Sequence, residues 1–584
     1  MTARYDLVIR NGLIVDGTGG APYPGDVAVL AGRIAAVGNV DGSGREEIDA
    51  AGQIVTPGFV DVHTHYDGQA TWENTLSPSS NHGVTTVVTG NCGVGFAPVR
   101  PGDHDALIQV MEGVEDIPEL VMAAGIPWNW ETFPEYMDAL AARQFDIDVA
   151  VQIPHSPVRV YVMGERGMAN AASTEEDRAE MTRLVTEAIA AGAVGVSTSR
   201  SVGHRLKNGD FAPSVMTEKA ELLALAQGLR DAGAGVFQLI TELRHDTTEE
   251  MDLVAEIATT AGRPTSFTLL ESPTAPEKWR VMLDRIDAAN AAGLEVRGQV
   301  FPRPVGVLLG LDLSMHRFVL RPSYQAIAHL PLDQRVAKMR LPEVKAAILS
   351  EASGTDPQPN VNMLINSLDR LFELTDPVNY APSADQSLQA RAAAAGRDVD
   401  EFIYEALLAD EGRNILYVPG ANFVGCSLDA TRTMMASPNT ILGLGDGGAH
   451  YGFICDASFP TFALTHWVRD AAPDQRFPLE WMIAELTSRP AQALRLADRG
   501  RIAPGLRADL NVIDLDALTL YAPRVVHDLP KQGRRLRQQA RGYAATIVAG
   551  EVTYREGVPT GALPGRLLRG EGCHIPQPAD RLAA

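Results

Sequence analysis

The stretch Gly58–Asp67, GFVDVHTHYD, carries the strongest functional signal in the chain. An apolar run, Phe59–Val62, leads directly into His63 and His65, which are separated by one residue. In an extended strand, residues i and i+2 point to the same side, so both imidazoles are expected to project together from the strand's end. Two converging imidazoles suit a divalent metal such as zinc. This stretch therefore predicts a strand that ends in part of a metal site.

Seven further strand-like runs follow, and helical stretches separate several of them, for example 174–190, opened by Ser173, and 218–231. After Phe59–Val62, which is strand one, strands two to eight are predicted at Thr85–Thr89, Asp148–Ile153, Ala193–Ser197, Val236–Ile240, Thr265–Leu270, Glu295–Val300 and Thr440–Leu444. Alternation of this kind is typical of a parallel sheet covered by helices. Eight units predict an α/β fold, a TIM-like (β/α)₈ barrel with its active site at the carboxyl ends of the strands.

Polar or metal-binding residues follow nearly every predicted strand. After the histidines of strand one, they are, in strand order, Cys92, His155, Thr198 and Ser199, Glu242, Glu271, Arg303 and Asp446. A purely structural protein would be expected to place ordinary turn formers at these positions. Their convergence on one face of the predicted barrel favours an enzyme.

Asp446 lies in ILGLGDGGAHYG, after an apolar run and before two glycines, so its carboxylate can approach a metal closely. A carboxylate beside a metal-bound water can accept its proton and pass it to a leaving amine. A simple Asx turn is the alternative. Cys92, in TTVVTGNCGVG, is a candidate thiolate ligand, although a lone cysteine is more often an inert apolar residue.

Composition excludes several classes of protein. The 584 residues carry a formal charge of −23, which argues against non-specific binding to nucleic acid or to an anionic membrane surface. No apolar run reaches the roughly 18–20 residues that a membrane span needs. Four scattered cysteines do not form a disulfide framework, and the first residues lack the features of a signal peptide. A cytoplasmic protein is expected.

Both ends of the chain read as short strands with glycine turns. The N-terminal ones are predicted at Asp6–Arg10, Gly12–Asp16, Asp26–Leu30 and Arg33–Val37, and the C-terminal ones at Asp509–Asp514, Ala544–Ala549 and Glu551–Arg555. We expect one small β domain built from both termini. Residues 320–423 are rich in helix and alanine, interrupt the alternation between strands seven and eight, and are interpreted as an inserted subdomain or lid.

Together these motifs resemble the amidohydrolase superfamily and, within it, the N-acyl-D-amino-acid deacylase (D-aminoacylase) group. The likeness rests on DLVIRNGLIVDGTG, IVTPGFVDVHTHYDGQ, TTVVTGNCG, GDGGAH and RPAQALRLADRGRIAPGLRADLNVIDLD, which span nearly the whole chain. The resemblance implies a barrel (58–319 and 424–496) and a small β-sandwich (1–57 and 497–560). The sequence pattern itself predicts the insertion (320–423) and, because it lacks periodicity, a C-terminal tail (561–584). The resemblance also implies that His63 and His65 belong to one metal site, that Cys92 is a ligand in place of a bridging lysine, and that Asp446 is the catalytic carboxylate.

One departure from the family pattern concerns strands five and six. D-aminoacylases typically place metal-binding histidines at the ends of both, but here VFQLITELRHD and PTSFTLLESP have none at that position. Glu242 and Glu271 are candidate oxygen ligands there, and a mononuclear site of His63, His65, Cys92 and Asp446 is the alternative. Candidates for substrate binding are His155, Arg159, Arg200, Arg303 and His450, although solvated or structural roles are equally open for the arginines.

The predicted function is therefore a metal-dependent hydrolase of a linear amide C–N bond, most simply in an N-acyl (D-)amino acid or a related N-acyl compound. Metal-activated water would attack, with Asp446 as general base and acid. We expect the protein to bind one or two Zn²⁺ ions, or another divalent metal, and a small-molecule substrate. Assembly as a homo-oligomer is left open. The alternatives are a hydrolase of an N-formyl amide, a cyclic imide or a small peptide, and a metal-poor homologue that binds a ligand or performs non-hydrolytic chemistry.

Overall fold

The eight predicted strands form one parallel sheet that curls into a barrel. A computed structural model describes residues 4–242 and 245–573 of the protein. Each strand of this sheet pairs with the next one in chain order, and strands seven and eight do so across the insertion. Strands one to eight lie at Phe59–Asp61, Val84–Thr89, Asp148–Pro154, Gly195–Ser199, Val236–Ile240, Thr265–Leu269, Val296–Val300 and Thr440–Leu442. The predicted (β/α)₈ fold is confirmed, with strand four beginning two residues later than expected.

Strands eight and one meet through the loops that carry the predicted site residues. The backbone N–H of Asp446 donates to the carbonyl oxygen of His63 at 3.1 Å, and the N–H of His65 donates to the carbonyl oxygen of Gly447 at 2.7 Å. These two bonds complete the barrel at its carboxyl end. The backbone contacts that close the barrel therefore also hold Asp446 beside the two histidines.

Helices cover the outside of the barrel and bury one apolar face each against it. They lie at His104–Glu115, Glu119–Gly125, Phe133–Ala141, His155–Met163, Glu175–Ala190, Lys219–Ala232, Thr247–Ala261, Lys278–Ala291, Asp429–Met435, Leu479–Leu486 and Ser488–Ala493, with shorter turns between them. The predicted cap Ser173 is wrong by one residue, because Thr174 forms a reciprocal capping box with Asp177. Among the described residues no helix is long and apolar enough to cross a membrane.

Strands from both termini form a single mixed sheet outside the barrel, as predicted. Its strands are Tyr5–Ile14, Tyr23–Leu30, Arg33–Gly38, Gly44–Asp49, Ile54–Pro57, Leu510–Ile513, Tyr543–Val548, Glu551–Arg555 and Val558–Pro559. The two ends of the chain join where Ile54–Pro57 pairs antiparallel with Leu510–Ile513. The first barrel strand follows Pro57 after one residue, so the sheet is attached directly to strand one.

The predicted turn at Asn11–Gly12 is wrong. Tyr5–Ile14 is one continuous strand, and its register against Tyr23–Leu30 shifts between Ile9 and Gly12. Asn11 has φ +58°, and Asn tolerates this left-handed region better than most residues. The Asn-Gly pair therefore makes a bulge within a strand rather than a reversal between two strands.

The segment between strands seven and eight has its own apolar core and a small sheet as well as helices. Its strands are Val305–Leu309, Phe372–Glu373 and Leu416–Ala421, and its helices are Pro322–Gln325, Leu332–Met339, Pro342–Ser350, Pro359–Ile365, Leu388–Ala394 and Val399–Gly412. The sheet starts at Val305, before the predicted boundary at residue 320, because Val305–Leu309 pairs with Leu416–Ala421 across the whole helical stretch. Sequence periodicity cannot reveal so distant a pairing.

Two C-terminal features lie outside the predicted strands. A hairpin of Arg524–Leu529 and Gly533–Arg537 extends from the terminal sheet toward the loop after strand eight, where the N–H of Leu536 donates to the carbonyl of Tyr451. Farther on, Leu567 bridges to Val149 of strand three and is buried. The described part of the tail thus packs on the barrel, while residues 574–584 of the predicted tail lie outside the described residues.

Candidate metal centre

His63, His65 and Cys92 come together at the carboxyl end of strands one and two. One ligand atom from each lies within 4.8 Å of the others, and all three side chains are buried. The Nε2 atom of His63 is 3.2 Å from the Sγ atom of Cys92. Cys92 sits two residues past Gly90 with φ +55°, a turn that brings its thiol back toward strand one. Among the described residues this is the one cluster of three such groups compact enough to hold a metal ion.

The orientation of His63 is fixed from inside the barrel by Gln299 of strand seven. His63 Nδ1–H donates to Gln299 Oε1 at 3.0 Å, and Gln299 Nε2 in turn donates to Ser266 Oγ at 3.1 Å. This leaves the lone pair of His63 Nε2 directed toward Cys92. A metal-ligating histidine commonly has its other ring nitrogen held by such a partner.

Asp446 faces both histidines from the loop after strand eight. Its Oδ1 atom is 3.6 Å from His63 Nε2 and 3.7 Å from His65 Nε2. The loop reaches this position because its glycines leave no room for side chains: a Cβ on Gly445 would lie 2.0 Å from Asp61 Oδ2. The side chain of Asp446 retains 20% exposure, so it is the member of the group open toward solvent and substrate.

A second carboxylate, that of Glu115, lies on the other side of His65. Its Oε2 atom is 3.5 Å from His65 Nε2 and 3.3 Å from His450 Nε2. Glu115 is the last residue of the helix His104–Glu115 and is buried. The predicted residue His450 thus lies at the site, next to Glu115 and not in direct contact with the His63–Cys92 pair.

Burial controls the charges of this group. It lowers the pKa of His63 to about 4, so this imidazole is neutral and can coordinate a metal. Burial also raises the pKa of Glu115 to about 8, aided by the charge of Asp67, and raises the pKa of Asp446 well above its usual range, aided by Glu115. The same effects raise the pKa of the Cys92 thiol. A divalent cation would reverse these shifts for the carboxylates and the thiol.

The donor set fits a divalent metal. Two neutral imidazoles, a thiol and a carboxylate are the ligand types that zinc takes in proteins. His65 gives a more specific indication, because neither of its ring nitrogens has a hydrogen-bond partner among the described residues although the side chain is only 1% exposed. A buried imidazole without partners is costly unless another group satisfies it.

The structure places the two glutamates predicted at strands five and six outside this cluster. The carboxylate of Glu242 accepts from the backbone N–H of Val202 at 2.6 Å, and that of Glu271 accepts from the N–H of Val424 at 3.1 Å. Both side chains therefore bind neighbouring loop backbone. Their role as metal ligands stays a prediction.

The remaining predicted substrate-binding residues have charged partners within the protein. His155 and Arg159 both bind Glu221, and all three side chains are buried. Arg200 binds the carboxylate of Glu250. Arg303 binds the carboxylate of Asp456 at 2.8 Å and lies against the ring of Tyr380. Both guanidinium groups are therefore paired with carboxylates of the protein itself. These contacts give each residue a packing role, and substrate binding by them stays a prediction.

Two residues that contact the cluster escaped the sequence-based prediction. Gln299 lies within strand seven, where a glutamine gives no signal distinguishing it from other interior polar residues. Glu115 comes from the end of a helix, 23 residues after Cys92, and no strand-end rule points to it. His450 was found because it shares the loop of Asp446.

This geometry can be compared with known proteins. The sequence profile of the amidohydrolase family matches residues 46–554. The chain belongs to this family. It is 26% identical over 580 residues to the D-aminoacylase of Alcaligenes xylosoxydans xylosoxydans and 27% identical over 579 residues to the N-acyl-D-glutamate deacylase of the same organism; each comparison covers 97% of both chains. The resemblance predicted from the motifs is confirmed.

A solved structure shares the fold of this amidohydrolase. It is the N-acyl-D-glutamate deacylase from Bordetella bronchiseptica, complexed with zinc and a phosphonate inhibitor that mimics the tetrahedral intermediate of its reaction. The TM-score is 0.64 at 24% identity, covering 97% of this chain and 99% of that chain. The likeness extends through the barrel and the terminal sheet, and it establishes the architecture in which the cluster is set.

Proposed function

We propose that the protein is a metal-dependent amidohydrolase that cleaves the linear amide C–N bond of an N-acyl amino acid, with N-acyl-D-amino acids as the favoured substrates. The observation that carries the proposal is the convergence of His63, His65, Cys92 and Asp446 at the carboxyl end of the barrel. Family membership and the deacylase names of relatives aligned over almost the whole chain support the substrate class.

His63, His65 and Cys92 would hold the metal, and zinc is the ion that their mixture of nitrogen and sulfur suits best. A divalent cation, when bound, supplies Lewis-acid polarisation of a carbonyl and makes water more acidic. The protein's own contribution is to fix His63 through Gln299 and to keep both imidazoles neutral by burial. Glu242 and Glu271 are secondary candidates for ligation, by the sequence argument alone.

Asp446 moves the proton. Its carboxylate accepts a proton from the attacking water while the water oxygen bonds to the amide carbon. As the C–N bond then breaks, the same carboxyl group donates that proton to the amine nitrogen, so the products are a carboxylic acid and a free amine. The position of Asp446 next to both histidines and its partial exposure suit this exchange.

Turnover by the Asp446→Asn variant tests this role. Loss of the proton-transferring group is expected to lower kcat by about 10²- to 10⁴-fold, the usual contribution of general acid–base catalysis, while metal content stays the same. Asp474→Asn, at an exposed residue, is the matched control and should retain full activity. Full turnover by Asp446→Asn would refute the assigned role of this residue.

Substrate class is tested by hydrolysis of paired N-acetyl-D- and N-acetyl-L-amino acids, measured as release of free amine, together with elemental analysis of metal per chain. We expect about one or more zinc ions per chain and hydrolysis of the D series alone. Cleavage of an N-formyl amide, a cyclic imide or a small peptide, with no action on either N-acetyl series, would favour the second candidate substrates. Absence of metal after growth with excess zinc would refute the hydrolase assignment.

The proposal extends to the location, the substrate size and the assembly of the enzyme. The described residues contain no disulfide bond, which supports a cytoplasmic location. The substrate would be a small molecule, as for the deacylases that the chain resembles. Assembly as a homo-oligomer stays a prediction, and light scattering on the purified protein would decide it.

A further inference from the structure

Glu115 occupies an unusual position for a buried acid. It is 1% exposed and is fixed at two points against the loop after strand eight. Its backbone carbonyl accepts from the N–H of His450 at 2.5 Å, and its Oε2 atom lies 3.3 Å from the Nε2 atom of the same residue. The backbone contact and the imidazole together direct the carboxylate toward His65.

The carboxyl group of Glu115 has no lysine or arginine partner among the described residues. Buried acids are ordinarily paired with a cation or satisfied by hydrogen bonds. Glu115 has two imidazoles as its closest charged-type neighbours, and burial favours the neutral form of both His65 and His450. Neither ring nitrogen of His65 has a hydrogen-bond partner among the residues described. A carboxyl oxygen and an unsatisfied ring nitrogen thus face each other across 3.5 Å.

That spacing is the one expected of two ligands to one ion. Zinc binds nitrogen and oxygen at ~2.1 Å, so adjacent ligand atoms of a tetrahedral site are separated by about 3.4 Å. The separations from Asp446 Oδ1 to His63 and His65, 3.6 and 3.7 Å, are of the same size. Glu115, like Asp446, therefore lies at the distance from His65 that two ligands of one ion would have. Strands five and six have no histidines at their ends that could serve instead.

We propose that Glu115 is an additional ligand of the divalent cation, binding through Oε2 beside His65, and that His450 positions its carboxylate. The proposal rests on the proposed function only in requiring a cation at His63, His65 and Cys92. In the absence of imidazoles from strands five and six, Glu115 supplies both a ligand atom and a negative charge. Its test is cation binding, which is measured without any substrate.

The experiment compares zinc affinity of the full-length protein and its variants, stripped with a chelator and titrated against a chromophoric competitor. Glu115→Gln is expected to bind zinc at least tenfold more weakly than the wild type, and His450→Gln to show a smaller loss. Asp146→Asn is the control for loss of a buried carboxylate, because Asp146 is also buried but accepts from the N–H of Leu76 and the hydroxyl of Tyr554. Glu112→Gln controls for the helix, since Glu112 binds Lys207 and not the site. Both controls should stay within threefold of the wild type.

Cobalt(II) substitution distinguishes direct coordination of the cation by Glu115 from electrostatic attraction between the two. The visible absorption bands of cobalt(II) depend on coordination number, so they should change in Glu115→Gln and remain as in the wild type in Asp146→Asn. Wild-type affinity together with an unchanged cobalt spectrum in Glu115→Gln would overturn the proposal while leaving the proposed function intact. Failure of the wild type to bind zinc or cobalt would overturn both.

Discussion

Replacement of Gln299 by leucine should weaken metal binding although Gln299 does not touch the metal position. The substitution removes the oxygen that accepts from His63 Nδ1–H at 3.0 Å and leaves this ring N–H buried without an acceptor. His63 is then free to rotate or to move its proton to Nε2, which occupies the lone pair that faces Cys92. The volume of the side chain changes little, so the barrel interior stays filled.

The expected loss can be bounded from the structure. Residues that hold a metal-ligating histidine usually contribute 10- to 100-fold to metal affinity, which corresponds to about 1.4–2.8 kcal/mol of binding free energy. The unpaired N–H adds about 1–3 kcal/mol to the cost of folding in the metal-free protein. Zinc affinity is measured by competition with a chromophoric chelator, and the free energy of unfolding by urea denaturation of the same samples.

Gln238 provides a matched control on strand five. It is buried to the same extent as Gln299, but neither its amide nitrogen nor its amide oxygen has a hydrogen-bond partner among the described residues. Gln238→Leu removes two unsatisfied polar atoms and should leave zinc affinity unchanged, with unfolding free energy equal or higher. The reasoning is refuted if Gln299→Leu binds zinc within twofold of the wild type, or if both variants lose affinity equally.

Two further predictions concern other parts of the barrel. Burial alone would raise the pKa of Glu221, but His155 and Arg159 lower it to about 2, so Glu221 contributes stability above its unfolded pKa near 4.5 and loses it as pH falls toward 2. In urea denaturation at pH 7, Glu221→Gln should therefore cost about 3–5 kcal/mol, and its difference from the wild type should shrink steadily below pH 4.5. Gly445→Ala should displace Asp446, because the added Cβ meets Asp61 Oδ2 at 2.0 Å, and should lower kcat at least tenfold in an amide-hydrolysis assay. Gly102→Ala, which meets nothing within 4 Å, is its control, and equal kcat for the two variants would contradict the steric argument.

The barrel could be predicted from the sequence because its signals are local. A strand buried on both faces is a short run of mainly β-branched and apolar residues, as Val84–Thr89 and Val236–Ile240 are, and turn residues mark where it ends. The side chains after those ends, His63, His65, Cys92 and Asp446, meet because parallel strands place their carboxyl ends together. Topology therefore brings the four central residues together from three short motifs.

The rest of the site depends on contacts that sequence periodicity does not encode. Gln299 acts through a side-chain bond to a residue 236 positions earlier, and only the inward pleat of strand seven brings the two together. Glu115 arrives from the far end of a helix whose length and direction decide where its last residue lies. In the terminal sheet the same limit applies to Asn11, because a turn and a bulge have the same sequence signature and the pairing of the neighbouring strand decides between them.

These two unpredicted residues bear on how the central four are used. Asp446 is assigned the transfer of a proton, a task for which its carboxylate must be free to gain and release that proton. A site held only by His63, His65 and Cys92 would draw Asp446 into coordination, since no imidazole comes from strands five and six. With Glu115 as the anionic ligand on the His65 side and Gln299 fixing His63, coordination does not require Asp446. The exposed carboxylate of the group is then the one available for chemistry, and the buried one serves the metal.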